Sequence, residues 1–216
     1  MSAFQDLLDL LLPTKCVLCS ALGSPICSNC RPKIITKSRV VTRGHMQGVA
    51  VSEYGAVEHD LLKSFKEKGQ TGVLSVLAAA LATPLSQAAE NVGDALLVPM
   101  PSSRANYLKR GYEPARLMAR KANALAGYPC RVVSALSFQR VVEDQAGLNA
   151  RARHSNLAGS MSANRAVNGR HVILFDDIVT TGATILEGAR AVSKSGGEVL
   201  GFLTFSETIL KTQTKT

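Results

Sequence analysis

A chain of 216 residues with 46% hydrophobic side chains is long enough for one main domain and a small appendage, and its packed core should be aliphatic, because aromatics are 5% and Trp is absent. The net charge is +9, and the excess lies between residues 101 and 171, where twelve Lys and Arg face three acids. That placement favours a polyanionic partner, a solvated basic face being the plainer reading, and no apolar run comes near the ~18 residues of a membrane span.

Residues 4–12 (FQDLLDLLL) have helical apolar spacing and stop at Pro13. Asp6 and Asp9 interrupt the stretch and no basic flank precedes it, so it is not read as a signal peptide, and a cytoplasmic location is expected. Cys16-Val-Leu-Cys19 and Cys27-Ser-Asn-Cys30 follow, seven residues apart. Two C-x-x-C turns this close supply four thiolates for one tetrahedral ion, so Cys16, Cys19, Cys27 and Cys30 are candidate ligands of a structural zinc in a ribbon-like element. Iron in place of zinc, two disulfides and a redox pair are the competing readings. Cys130 stands alone and reads as a small buried hydrophobe.

Residues 31–43 are basic and irregular, and are expected to be a linker. Residues 47–53 suggest a strand, Tyr54-Gly55 a turn, and residues 57–65 a helix closed by Lys66, Lys68 and Gly69. Residues 73–89 read as a second, alanine-rich helix and residues 95–100 (ALLVPM) as a short buried strand. A polar loop is expected over 101–111, carrying Arg104, Lys109, Arg110 and Gly111 at the carboxyl end of that strand, where ligands sit in open α/β sheets. A helix over 112–125 and short strands over 131–134 and 136–140 come next. Residues 141–155 lack periodicity and offer Gln145, Arg151 and Arg153 to a ligand, with Asn156 just beyond; His154 reads as a surface residue.

Residues 172–184 (VILFDDIVTTGAT) organise the rest. A buried strand leads to Asp176 and Asp177, then to Thr180, Thr181, Gly182, Ala183 and Thr184, then to a helix over 185–192. The first N–H groups of a helix have no intrahelical partners and favour anions. Threonine hydroxyls can donate to oxygen, so the turn is a phosphate cradle. Two adjacent carboxylates need hydroxyls, a cation or a nearby Lys or Arg. A ribose bearing a 5′-phosphate satisfies both halves. A strand whose Asp177 merely caps the next helix is one alternative. An NTPase strand is another, but it needs a G-x-x-x-x-G-K-[ST] loop that the chain lacks. Residues 198–205 form a last strand, and the apolar alternation after residue 90 predicts a parallel α/β sheet.

The C-x-x-C pairs, EYGAVEHDLLKSFKEKG, LLVPMPSSRANYLKRGY, the spacing of Gln145, Arg151 and Asn156, and VILFDDIVTTGAT together resemble the ComF family of competence-associated, GntX-like proteins. The resemblance implies a type I phosphoribosyltransferase-like parallel sheet flanked by helices. A small N-terminal zinc element with its linker would occupy residues 1–43 and the phosphoribosyltransferase-like domain residues 44–216. It implies 5-phosphoribosyl 1-pyrophosphate (PRPP) or a related ribose phosphate as ligand, with Mg²⁺, and transfer of a phosphoribosyl group to an acceptor. Asp176 and Asp177 would bind the ribose hydroxyls, residues Thr180 to Thr184 the 5′-phosphate, and Arg110 and Gly111 the pyrophosphate. It also implies a link to DNA uptake, with single-stranded DNA or a competence helicase as partner, so a non-catalytic DNA-handling adaptor or a PRPP-sensing regulator on the same fold is the alternative. Where the family reads RGFNQ, this chain has Arg110-Gly111-Tyr112-Glu113-Pro114, and Glu113 would repel a pyrophosphate unless Mg²⁺ intervened.

Overall fold

The computed structural model describes residues 14–142 and 156–209. The expected N-terminal helix and the ligand candidates Gln145, Arg151 and Arg153 lie outside the described residues. Eight strands are described: β1 (Arg39–Arg43), β2 (Met46–Glu53), β3 (Ala95–Pro99), β4 (Arg131–Val132), β5 (Leu136–Phe138), β6 (Met161–Ala163), β7 (His171–Val179) and β8 (Glu198–Glu207). Six form one sheet in the order β1-β2-β8-β7-β3-β4. Only β1 runs antiparallel, against β2; the rest are parallel. The helices are α1 (Ala56–Lys68), α2 (Leu74–Val92), α3 (Arg104–Arg110), α4 (Pro114–Leu125) and α5 (Ala183–Lys194).

Strand period 2 divides the core into two halves. Ile173 and Phe175 of β7, Leu97 of β3 and Leu203 and Phe205 of β8 pack with Phe65 of α1, Leu77, Leu81 and Leu85 of α2 and Met118 of α4. Val172 and Leu174, Leu96 and Val98, and Phe202 pack on the other face with Ile185, Ala189 and Val192 of α5. The central strands are apolar on both faces because both are covered by helices, as in other parallel sheets. On this face α5 leaves no room for a side chain at Gly188, where a Cβ would lie 2.7 Å from the Met100 methyl carbon.

Four findings differ from the sequence expectations. Residues 39–43 are an edge strand rather than linker, so the sheet begins at Arg39. The polar segment after β3 is not all loop: Ser103 caps a short helix by accepting from the Asn106 N–H at 3.3 Å, and Gly111, at φ 75°, ends it in the left-handed region. β5 leaves the main sheet and pairs with β6 in a separate antiparallel hairpin, whose second strand the sequence did not announce. Finally, residues Thr71–Glu90 are long and apolar enough, by length and composition, to cross a membrane; in this fold Leu77, Leu81, Leu85 and Ala89 of that stretch are buried in the core.

Candidate functional site

β7 continues through the acidic pair to Val179, longer than the apolar run alone suggested, and the turn 180–182 joins it directly to α5. The carboxyl ends of β3 and β7, together with α1, α3 and the start of α4, enclose a cleft of about 590 Å³. Of the expected site residues, Arg110, Asp176, Asp177, Thr180 and Thr184 line it; Gly111, Thr181, Gly182 and Ala183 do not. Lys66, Tyr54, Ser102, Ser103 and Asn106 also line it.

The two aspartates alternate, as neighbours on a strand must. Asp177 turns to the α1 side, where its carboxylate lies 2.5 Å from the Lys66 ammonium. Asp176 accepts a hydrogen bond from the Asp177 N–H at 2.9 Å. Burial pushes the Asp176 carboxyl up, the neighbouring Asp177 charge adds to that, and it reaches about 8. Burial works to lower Lys66, but the Asp177 carboxylate outweighs it and holds the ammonium above its ordinary range. The site therefore treats its two acids differently: Asp177 is ion-paired, and Asp176 holds its proton more tightly than an ordinary carboxyl. The acidic pair signalled the need for a cation; nothing in the sequence said that the cation would be Lys66, which reads as an ordinary C-terminal helix lysine.

Arg110, in the last turn of α3, faces the cleft with its Nε buried and unpartnered among the described residues. A buried guanidinium nitrogen without an acceptor is costly and is suited to an anion. Tyr112 donates its hydroxyl to the Phe65 carbonyl, tying this region to α1. Glu113, expected to oppose a pyrophosphate, is not among the cleft-lining residues, and its carboxylate meets Arg116 at 3.5 Å.

The turn 180–182 is held from outside the cleft by Arg43, the last residue of β1, which the sequence placed in a linker. Its Nε donates to the Thr180 carbonyl at 2.6 Å, and Nη2 donates to the Thr208 carbonyl at 2.9 Å and to Glu207 at 3.0 Å. Gly182 caps α5 at φ 82°, and the Ala183 N–H donates to Thr181 Oγ1 at 3.4 Å.

The four N-terminal cysteines come together, with all four Sγ atoms within 4.8 Å of one another and none in a disulfide. The Cys19 and Cys27 sulfurs lie 3.6 Å apart. Tetrahedral zinc with Zn–S near 2.3 Å sets sulfurs about 3.8 Å apart, so the cluster could hold such an ion with little movement. Burial works against a Cys16 thiolate, but backbone N–H groups of Cys27, Leu18 and Cys19 outweigh it and bring Cys16 to about 6. Cys30, buried beside three other thiols, is pushed up to about 12. Cys16, Ile26 and Cys30 belong to the same core as Phe65 of α1.

Residues 107–213 match the family model of the phosphoribosyl transferase domain. Over 189 residues the chain is 26% identical to the DNA utilization protein YhgH of Escherichia coli strain K12, covering 83% of this chain and 79% of that protein. It is also 26% identical over 186 residues to the protein of the same name from Salmonella typhimurium, covering 84% and 78%. Both likenesses are consistent with the ComF-family resemblance of the motifs. A similar solved structure is the orotate phosphoribosyltransferase of Mycobacterium tuberculosis, 13% identical, covering 81% of each chain with a TM-score of 0.39. The phosphoribosyl transferase domain match takes in Arg110, the acidic pair and the phosphate cradle, and leaves Arg43, Lys66 and the four cysteines outside it.

Proposed function

We propose that the cleft binds PRPP or a related ribose phosphate and that the protein transfers the phosphoribosyl group to an acceptor. The observation that carries this is the meeting of Asp176, Asp177, Thr180, Thr184 and Arg110 around one cleft. Thr180 and Thr184, at the start of α5, would hold the 5′-phosphate with the turn between them, and the acidic pair would orient the ribose hydroxyls. Transfer breaks the bond between the anomeric carbon and the pyrophosphate oxygen. The electron pair leaves with pyrophosphate, positive charge develops on the sugar, and the acceptor's lone pair closes the new bond. Arg110 would stabilise the departing charge with its guanidinium. Among the described residues the four cysteines alone form a group of three or more metal-binding side chains; Mg²⁺ would come bound to the pyrophosphate. The cysteines would hold zinc, with no open position and so a structural role, in a cytoplasmic protein whose thiols stay reduced. The zinc element would be the small N-terminal unit, ahead of a transferase-like unit whose sheet starts at Arg39.

Calorimetric titration of PRPP, with Mg²⁺ present, into the wild type, Asp177→Asn and Arg110→Ala tests the site. Weaker binding in both variants is expected, and equal affinity in all three overturns the assignment. Release of pyrophosphate in a screen of nucleobases and amines would identify the acceptor. A DNA-handling role is a second reading, favoured by the charge excess of residues 101–171 and by the name of the YhgH relatives. Single-stranded DNA affinity that falls steeply between low and physiological salt is its signature.

A further inference from the structure

We infer that Arg43 is a positioning residue that gives the turn 180–182 its phosphate-binding shape; the inference rests on the ribose-phosphate reading above. Arg43 comes from the far edge of the sheet and is 6% exposed. Its charge is matched by Glu207, at 3.0 Å; Arg39, 3.7 Å from the other oxygen of that carboxylate, has its own partner in Glu53 at 3.5 Å. The guanidinium therefore has little charge to lend an anion, and its effect on the turn is geometric. Nε holds the Thr180 carbonyl at 2.6 Å. A trans peptide sets its C=O and N–H in opposite directions, so this bond turns the Thr181 N–H to the side of the turn away from Arg43.

The side-chain stem does the rest. A Cβ on Gly182 would lie 2.4 Å from Arg43 Cβ and 2.9 Å from its Cγ. The left-handed Gly182 at the α5 N-terminus thus rests directly on Arg43, and the glycine is required both by φ and by that contact. Nη1 donates to the Thr42 carbonyl at 3.0 Å and Nη2 to the Thr208 carbonyl at 2.9 Å, so the guanidinium is fixed on the side away from the turn. A fork with several donors can make these bonds together; a lysine ammonium cannot reproduce their directions.

The test compares ribose 5-phosphate, which would occupy the turn, with inorganic pyrophosphate, which would occupy the Arg110 side. Calorimetry is run on the wild type, Arg43→Gln, Arg43→Lys and Arg39→Gln. Ribose 5-phosphate affinity should fall about tenfold to a hundredfold in Arg43→Gln, somewhat less in Arg43→Lys, and not at all in Arg39→Gln. Pyrophosphate affinity should be the same in all four, a separation that loss of folding could not produce. An unchanged ribose 5-phosphate affinity in the Arg43 variants, or an equal fall for both ligands, overturns the inference and leaves the site assignment standing. If Arg43→Gln does not fold, Arg43→Lys decides on the same criterion. A wild type that binds neither ligand overturns the site assignment itself, and the inference with it.

Discussion

The Lys66 ammonium and the Asp177 carboxylate meet at 2.5 Å, with side-chain exposures of 23% and 7%. They join the last turn of α1 to the acidic pair on β7, two elements that the chain separates by more than a hundred residues. An ion pair this enclosed matters chiefly through what happens when one partner is lost, because the remaining charge stays buried without compensation.

Lys66→Met should therefore destabilise the fold at pH 7 by about 2–3 kcal/mol, between the values for exposed and fully buried pairs. The pH dependence has a definite sign. Lys66 is held above its ordinary 10.5, so its contribution is complete below that pH and is lost as pH rises through the raised value. The gap between wild type and variant should widen as Asp176, which faces the same ammonium, gains charge around pH 8, and should close above the raised Lys66 value. Urea unfolding across this range measures the gap, and identical midpoints at pH 7 would refute the account.

Substituting Asp176 should have the opposite effect, stabilising the fold, although its pH dependence runs in the same direction as that of Lys66. Its carboxyl, held at about 8 against an ordinary 3.8, keeps its proton in the folded chain where the unfolded chain has lost it. The folded state then binds more protons between those values, and stability falls as pH rises through them. Asp176→Asn retains the acceptor for the Asp177 N–H and removes the titration. The variant should match the wild type at pH 4 and exceed it at pH 8, by up to about 5 kcal/mol for the full rise, while binding PRPP less tightly. A variant no more stable than the wild type at pH 8 would mean that Asp176 is charged there at little cost.

Local pattern made the main sheet and half of the site legible. Apolar runs at 95–100 and 172–175 mark strands buried on both faces, the run at 198–205 marks a strand buried from Phe202 onward, and the TTGAT turn marks a helix start. Arg43 and Lys66 were not legible, for a physical reason. Each acts across more than a hundred residues, and a single cation carries no sign of which distant carbonyl or carboxylate it will meet. Helix α3 was hidden because all seven of its residues have a polar setting and none is buried, which removes the periodicity that marks longer helices. Only Ser103 and Gly111, the residues at its two ends, could have announced it.

The four-cysteine cluster makes a prediction that needs no ligand. Protein purified without chelator should carry close to one equivalent of zinc by elemental analysis. Its removal should cost at least about 2 kcal/mol, roughly 4–8 °C in melting temperature for a chain of this size. Cys16→Ser and Cys30→Ser should mimic the loss, because both residues are buried beside Ile26 in the α1 core, whereas Cys130→Ser should leave the metal content unchanged. Metal-free protein that melts with the untreated sample would remove the structural role, and bound iron would correct the identity of the ion.

Glu187 fixes the β5–β6 hairpin to α5, the helix that follows the turn 180–182. The carboxylate accepts from the Met161 N–H at 2.8 Å and the Gly159 N–H at 3.1 Å. Two Arg190 nitrogens donate to it at 2.7 Å each, and the same guanidinium donates to the Met161 carbonyl at 2.7 Å. Burial raises the Glu187 pKa, but Arg190 and the two N–H groups outweigh it and hold the carboxyl below its ordinary 4.5. Its contribution is thus present above pH 4.5 and lost as pH falls below it. Glu187→Gln places an amide NH₂ against groups that all donate, and should cost about 2–3 kcal/mol at pH 7 and less in acid. Phe138 of the hairpin lines the cleft, so loosening this anchor should also raise amide exchange at Phe138 and Met161 and weaken ligand binding, with the β7 and β8 amides unaffected. Exchange that rises equally in β7 would show that Glu187 supports the whole fold rather than the hairpin alone.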